Sequence, residues 1–293
     1  MTVVVVDENR IRELACTLSL LDINFYRRLE LCDPQFKAVK RLCSVCYPYT
    51  APLLASLNAL VSYRLNCRGE EYWREFADFT IDYCKSKTIN TLSECVKVII
   101  EFLSKSQCNT LFRRSKINRL LSVIRHGDVD AVYVWRLFSK NPENYRVWLS
   151  KRLNANPNAK TIVFAIKMYY YGCRACLDAD LILPYSIPIP VDKRIALISY
   201  TSRVISCTHN CSNPVNTILK RPGIVRRVWS SIAELCRVPP LHLDCLLWTI
   251  GGYVSKSKHV DVNRVVEELL RHVGVEYKSK VIPIIQELLS RPL

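Results

Sequence analysis

Seven glycines in 293 residues leave this chain few means of making the tight reversals on which a sheet protein depends, because short hairpin turns need positive φ at their central positions. Apolar residues instead recur at separations of three and four. Leu53, Leu57, Leu60 and Val61 form one such stripe, and Val96, Ile99, Ile100 and Leu103 form another. That period matches the turn of a helix, so the spacing predicts an all-α protein. Helix starts are predicted at Asp33-Pro34, at Asp128 ahead of Val129-Asp130-Ala131-Val132, and at Asp192, each an N-cap type placed before an amphipathic run. About a dozen helices fit the length.

The interruptions are short: Asn154-Ala155-Asn156-Pro157-Asn158, the proline-rich run Leu183 to Pro190, and Thr208-His209-Asn210-Cys211-Ser212-Asn213-Pro214. No Gly/Ser linker, charge block, low-complexity tract or internal repeat divides the chain, and 49% hydrophobic residues suffice for a large core. The expectation is two helical lobes packed face to face, with a site between them.

A formal net charge of +16 points to a polyanionic partner, nucleic acid first, since phosphate contacts release counterions. A ribosomal protein or a binder of anionic membranes has the same charge balance. Val3-Val4-Val5-Val6 ends at Asp7, too short for a signal sequence or a span, and no later run stays apolar for ~18 residues. A cytoplasmic, DNA-associated location is therefore expected. Fourteen cysteines are many for such a compartment, where thiols stay reduced except in hyperthermophiles. Two Met and three Gln lean toward a heat-adapted source, although Asn is not depleted.

Lys160 and Phe164 stand one helical turn apart, and Asp244 and Trp248 repeat the arrangement. Each pair offers one polar reactive group and one aromatic plate, so two such faces make a slot for a flat heterocycle. Spacing alone equally allows Phe164 and Trp248 as core residues, Asp244 as a capping carboxylate, Lys160 as a solvated side chain and Asp192 as an N-cap.

Six segments add a resemblance: Asp33-Pro34-Gln35-Phe36-Lys37-Ala38-Val39, Leu57-Asn58-Ala59-Leu60-Val61-Ser62-Tyr63-Arg64-Leu65, Gly69-Glu70-Glu71-Tyr72-Trp73, Lys160-Thr161-Ile162-Val163-Phe164-Ala165-Ile166-Lys167, Ile187-Pro188-Ile189-Pro190-Val191-Asp192 and Pro239-Pro240-Leu241-His242-Leu243-Asp244. In this order they resemble the archaeal 8-oxoguanine DNA glycosylase/AP lyase family, AGOG, a divergent branch of the helix-hairpin-helix glycosylases. The likeness runs from about residue 31 to about residue 250; residues from roughly 85 to 150 and the C-terminal tail match only in helical character. It implies one helix-hairpin-helix glycosylase unit over residues 1–293, with a lobe 48–164 ending in the hairpin, a second lobe of 1–47 plus 165–293, and the active site in the cleft between them.

On that resemblance Lys160 and Asp192 fall on the catalytic lysine and aspartate, and Gln35, Ser62, Trp73, Phe164, Pro190, Asp244 and Trp248 fall on positions that hold the extruded base. The Leu-Pro-Gly-Val-Gly hairpin of the superfamily is absent; Asn154 to Asn158 stands in its place. Lys151 and Arg152, beside that connection, are the first candidates for phosphate contact, ahead of Arg113-Arg114-Ser115-Lys116 and Arg226-Arg227.

The implied chemistry is excision of 8-oxoguanine through a lysine Schiff base, then strand nicking by β-elimination. An amine forms the iminium that serine cannot, and Asp192 would stabilise positive charge on the sugar or relay the proton. Gln35 or the Pro190 carbonyl could accept the N7–H that distinguishes 8-oxoguanine from guanine. The expected partner is DNA bearing 8-oxoguanine, duplex or also single-stranded, bound by a monomer without a membrane. The alternatives are a basic helical protein that binds DNA or a lesion without cutting it, and a glycosylase for another base. Cys43-x2-Cys46, Cys173-x2-Cys176 and Cys207-x-His209-x-Cys211 resemble metal-ligand pairs, but the compact four-cysteine run of the iron–sulfur glycosylases is missing. Neither metal nor cofactor is expected, and disulfides remain open.

Overall fold

The computed structural model describes residues 3–208, 211–255 and 261–291. In chain order its elements are β1 (Val4–Val6), α1 (Glu8–Leu18), α2 (Ile23–Glu30), α3 (Pro34–Leu42), α4 (Thr50–Val61), α5 (Gly69–Ser86), α6 (Leu92–Lys105), α7 (Arg113–Ile124), α8 (Ala131–Lys140) and α9 (Pro142–Leu153). There follow α10 (Lys160–Cys176), α11 (Lys193–Thr201), β2 (Ile205–Cys207), α12 (Pro214–Leu219), α13 (Pro222–Cys236), α14 (Pro240–Val254), α15 (Val262–Val273) and α16 (Lys278–Leu288). Among the described residues the fold is all-α apart from one small sheet. The valine run, too short for a signal sequence or a span, forms β1, which pairs antiparallel with β2 in the register Val4↔Cys207.

Two compact units emerge: Met1–Cys32 with Tyr185–Leu293, and Asp33–Pro184. These limits differ from the expected lobes 48–164 and 1–47 plus 165–293. The reason is that α3 and the whole of α10 pack with α4, and the Tyr171 hydroxyl on α10 donates to Asp33 at the head of α3 over 3.0 Å. Cys43–Cys176 joins the far ends of the same two helices.

In the unit 33–184, α4 is the axis. All twelve of its residues are buried, as a helix without a polar face must be. Helix α10 lies so close to it that a Cβ on Gly172 would stand 2.4 Å from the Pro52 Cα. Helices α3, α6, α7 and α8 also contact α4. Cys46–Cys84 and Cys67–Cys108 add cross-links. The Cys-x2-Cys pairs are thereby split: Cys43 and Cys46 bond to different partners, while Cys176 is bonded and Cys173 is a buried free thiol. Asp130, not Asp128, caps α8 through the Tyr133 N–H. Asp128 instead accepts from the Ser93 backbone and hydroxyl in the first turn of α6, because α6 already has its own Thr91/Glu94 capping box and presents Ser93 to the neighbouring loop.

In the unit 1–32 with 185–293, α14 plays the axial part and contacts α2, α11 and α13. His242 on α14 meets Glu30 on α2 at 2.8 Å, both fully buried. Cys207–Cys211 closes the loop after β2, and His209 lies outside the described residues. Among the described residues no helix is long and apolar enough to cross a membrane.

Candidate active site

The connection from α9 to α10 is built without glycine. Asn154 caps α9 in the left-handed conformation, at φ 44° and ψ 52°, a region that asparagine tolerates better than other L-residues. Its N–H reaches the Lys151 carbonyl, the Ala155 N–H reaches the Ser150 carbonyl, and the Ser150 hydroxyl donates 2.7 Å to the Ala155 carbonyl. Asn156 accepts the Asn158 N–H at 2.8 Å, and Arg146 donates to the Asn158 side chain. A turn so closed on itself fixes where α10 begins. Its first residue is Lys160, exposed.

The next residue is held by a group that sequence reading missed. Arg119 on α7 donates 2.8 Å to the Thr161 hydroxyl, and burial lowers the pKa of its guanidinium. One turn along α10, Phe164 meets the ring of Trp73 edge-on at 6.1 Å. Trp73 is buried on α5. Ser62 caps the C-terminus of α4, its hydroxyl donating 3.1 Å to the Ala59 carbonyl. Gln35 is buried in the first turn of α3, and its N–H donates to Asp33. Five of the expected residues thus lie on α3, α5, α10 and the end of α4, elements in mutual contact through α3 and α10.

Behind Ser62 runs a buried polar network, also unforeseen. Tyr72 donates to Asn58, and Asn109 donates to both the Tyr72 hydroxyl and the Val61 carbonyl. Lys116 donates to Asn109 and lies 4.7 Å over the Tyr63 ring. Lys116 is fully buried, and that burial lowers its pKa to about 8. It therefore leaves the Arg113-Arg114-Ser115-Lys116 surface on which its sequence position had placed it.

The remaining four residues stand in the other unit, on α14 and around the start of α11, which contact each other. Pro190 is buried in the loop before α11. Asp192 caps that helix, one carboxylate oxygen accepting the Ile195 N–H at 3.0 Å. Asp244 is buried on α14. Half-buried Trp248 has the Arg194 guanidinium 3.9 Å over its ring, so each aromatic plate already has a partner within its own unit. Arg194 sits two residues after Asp192 and was another residue missed.

Of the two phosphate candidates, Lys151 is exposed. Arg152 is not a free cation: it donates 2.7 Å to the carbonyls of both Val123 and Gly127 and lies 4.3 Å over the Trp148 ring. Among the described residues no group of three or more His, Cys, Asp or Glu side chains is placed to hold a metal ion.

The AGOG family model, described as N-glycosylase/DNA lyase, matches residues 15–282. An N-glycosylase/DNA lyase of Pyrobaculum aerophilum is 30% identical over 260 residues, covering 86% of this chain and 90% of that protein. One from Methanopyrus kandleri is 31% identical over 247 residues, covering 82% and 87%. The crystal structure of an 8-oxoguanine DNA glycosylase from Pyrobaculum aerophilum, complexed with 8-oxoguanosine, superposes with a TM-score of 0.73 at 27% identity and covers 96% of this chain and 97% of that one.

Proposed function

Because the chain belongs to the AGOG family of N-glycosylase/DNA lyases, we propose that it excises 8-oxoguanine from DNA with Lys160 as nucleophile and Asp192 as its charged partner. The observation that carries this reading is the first turn of α10: an exposed lysine at the mouth of a glycine-free, internally bonded turn, with Phe164 one turn behind it and Trp73 behind Phe164.

The nucleotide leaves the stack, since the sugar carbon is shielded within the duplex. The lone pair of the neutral Lys160 amine forms a bond to C1′. The C1′–N9 bond breaks, and its electron pair leaves with the base. One amine proton passes to the departing base, the sugar ring opens as O4′ takes up a proton from solvent, and the nitrogen keeps its other proton in the iminium Schiff base. Removal of a C2′ proton then expels the 3′ phosphate and nicks the strand. Lys160 is exposed in the free protein, so the exclusion of water that suits a neutral amine comes from the DNA itself.

Asp192 is oriented by its cap bond to Ile195, and its negative charge would stabilise the cation that develops on the sugar. Phe164 and Trp248 offer faces to the base, worth ~1–3 kcal/mol per stacked base. Trp248 must exchange its contact with Arg194 for that role or use its other face. Gln35, Ser62, Pro190 and Asp244 supply the polar edges, and the N7–H of 8-oxoguanine needs an acceptor that guanine would leave facing a lone pair, a mismatch of ~1–3 kcal/mol. On this reading duplex DNA is the substrate and a monomer the acting form.

Borohydride trapping on DNA bearing 8-oxoguanine tests the reading. Wild-type protein is captured covalently; Lys160→Gln keeps lesion binding and loses both capture and base release. Capture that persists in Lys160→Gln would transfer the nucleophile to another amine, and a wild type that binds lesion DNA without capture would support the non-catalytic alternative.

A further inference from the structure

Gly251 and Gly252 stand side by side within α14, although glycine is the weakest helix former short of proline. Neither takes positive φ, and the helix continues past both to Val254, so neither serves as a turn or a cap. Their reason is space, and one residue fills it. A Cβ on Gly251 would stand 2.8 Å from the Arg194 Cβ and 3.2 Å from the Arg194 carbonyl oxygen. A Cβ on Gly252 would stand 3.3 Å from Nη1 and 3.4 Å from Cζ of the same arginine. The stem of Arg194 is thus rooted against the first glycine, and its guanidinium lies in the hollow left by the second.

That hollow adjoins Trp248. Asp244, Trp248 and Gly252 follow one another at the helical spacing of four and share a face of α14. The guanidinium carbon lies 3.9 Å over the Trp248 ring. A planar cation suits such a place, because it can lie against a bare stretch of backbone and on an aromatic face at once. Its position in its own helix does not explain it. Arg194 is in the first turn of α11, which begins Lys193-Arg194 and holds no carboxylate, and the positive end of a helix dipole disfavours charge of that sign. The arginine serves its neighbour on α14 rather than the helix that carries it.

We propose that Arg194 is a positioning residue, which backs one face of the Trp248 indole, fixes the plane of the ring and leaves the opposite face to the extruded base. Trp248 then keeps its arginine when the base arrives. The close approach at Gly251 extends the role, since it sets the main chain of the turn that Asp192 caps. One side chain and its backbone thereby hold the stacking ring in register with the carboxylate. The assignment rests on the base-stacking reading above.

An arginine in a DNA-binding protein is more simply a phosphate contact, and the test separates the two roles. The probe is 8-oxoguanosine, a nucleoside without phosphate, titrated by calorimetry. Duplexes with and without 8-oxoguanine are titrated beside it, in the Lys160→Gln background so that no base is released. Arg194→Met should weaken the nucleoside and the lesion duplex about fivefold each, leave the undamaged duplex and the salt dependence as they were, and add nothing to the loss in Trp248→Ala. Arg194→Lys, the gentler change if the first variant does not fold, keeps a charge for a phosphate but no plane for a ring, and should recover little of the loss. Equal loss on both duplexes with a flatter salt dependence, full rescue by Arg194→Lys, or the same further loss on top of Trp248→Ala overturns the assignment. A second readout needs no ligand: the near-UV circular dichroism that Trp248→Phe removes should also be missing from Arg194→Met, with the far-UV signal intact. If Arg194→Met loses that signal yet the unaltered protein binds no 8-oxoguanosine, the positioning role stands and the base-stacking reading falls; if both proteins bind the nucleoside equally, the positioning role falls alone.

Discussion

Replacing Gly172 by alanine should destabilise the protein, although glycine inside a helix is ordinarily a liability. Residue 172 lies well within α10, where alanine gains ~1 kcal/mol over glycine by propensity. Against this stands the contact with α4. The new Cβ would lie 2.4 Å from the Pro52 Cα and 2.8 Å from its Cβ, while ordinary contact begins near 3.4 Å. The obstructing atom is backbone on a fully buried helix, so no side chain can rotate away. The two helices must part by about 1 Å, which forfeits dispersion along their whole contact. Overpacking of this kind costs ~3 kcal/mol at the severe end, for a net loss of ~2 kcal/mol and a fall in Tm of about 5 °C. Gly223→Ala on α13, with nothing within 4 Å of its added carbon, is the control that should be neutral or slightly stabilising. Urea unfolding followed by far-UV circular dichroism reads both. A Gly172→Ala protein as stable as wild type would mean that α10 and α4 are not in backbone contact, and Lys160, about 18 Å along the same helix, would lose the support assigned to it.

Three further outcomes are expected. Asp192→Asn keeps an oxygen for the Ile195 N–H, so Tm should hold while single-turnover excision slows by ~10²-fold or more; rates within about twofold of wild type would reduce Asp192 to a helix cap. Arg152→Met should cost ~2 kcal/mol of stability by abandoning two backbone carbonyls, whereas Lys151→Gln should leave Tm alone and flatten the salt dependence of DNA binding by about one charge; identical melting of the two variants would undo that division. Lys116 titrates near 8 in the fold against 10.5 when unfolded, so the unfolded chain binds more protons between those values. The cost of burying the ammonium is full below pH 8 and fades as pH rises toward 10.5, so wild type should gain up to ~3 kcal/mol on Lys116→Met over that range. A pH-independent difference between them would count against a buried ammonium.

Periodicity made the helices legible because helix formation is local: the stripe Leu53, Leu57, Leu60, Val61 became part of α4, and Asp33 and Asp192 cap helices as their residue types dictate. Asp128 misled because it has the composition of a cap while its partner, Ser93, stands far away in sequence. The valine strand escaped notice for a similar reason, as β1 exists only through its pairing with β2. The turn between α9 and α10 carries no glycine signal because Asn154 takes a left-handed conformation that glycine commonly fills. Arg152, Arg119, Arg194 and Lys116 were beyond reach on general grounds. Whether a cation faces solvent, a carbonyl, a ring or a buried amide is decided by tertiary neighbours, and charge counts are blind to it. Disulfides were foreseeable as a possibility, but their pairing follows from helix packing that no spacing rule encodes.

The placement of the cross-links has a practical reach. Cys43–Cys176, Cys46–Cys84 and Cys67–Cys108, spanning 133, 38 and 41 positions, all fall in residues 33–184, whereas the remaining one joins residues four apart. Each long closure removes ~4 kcal/mol of chain freedom from the unfolded state on an entropic account, so oxidation stabilises the unit that carries Lys160 far more than the other one. Protein made in a reducing host, or assayed in the thiol-containing buffers customary for DNA enzymes, would be measured without that reinforcement. Its working temperature would then describe the buffer as much as the enzyme.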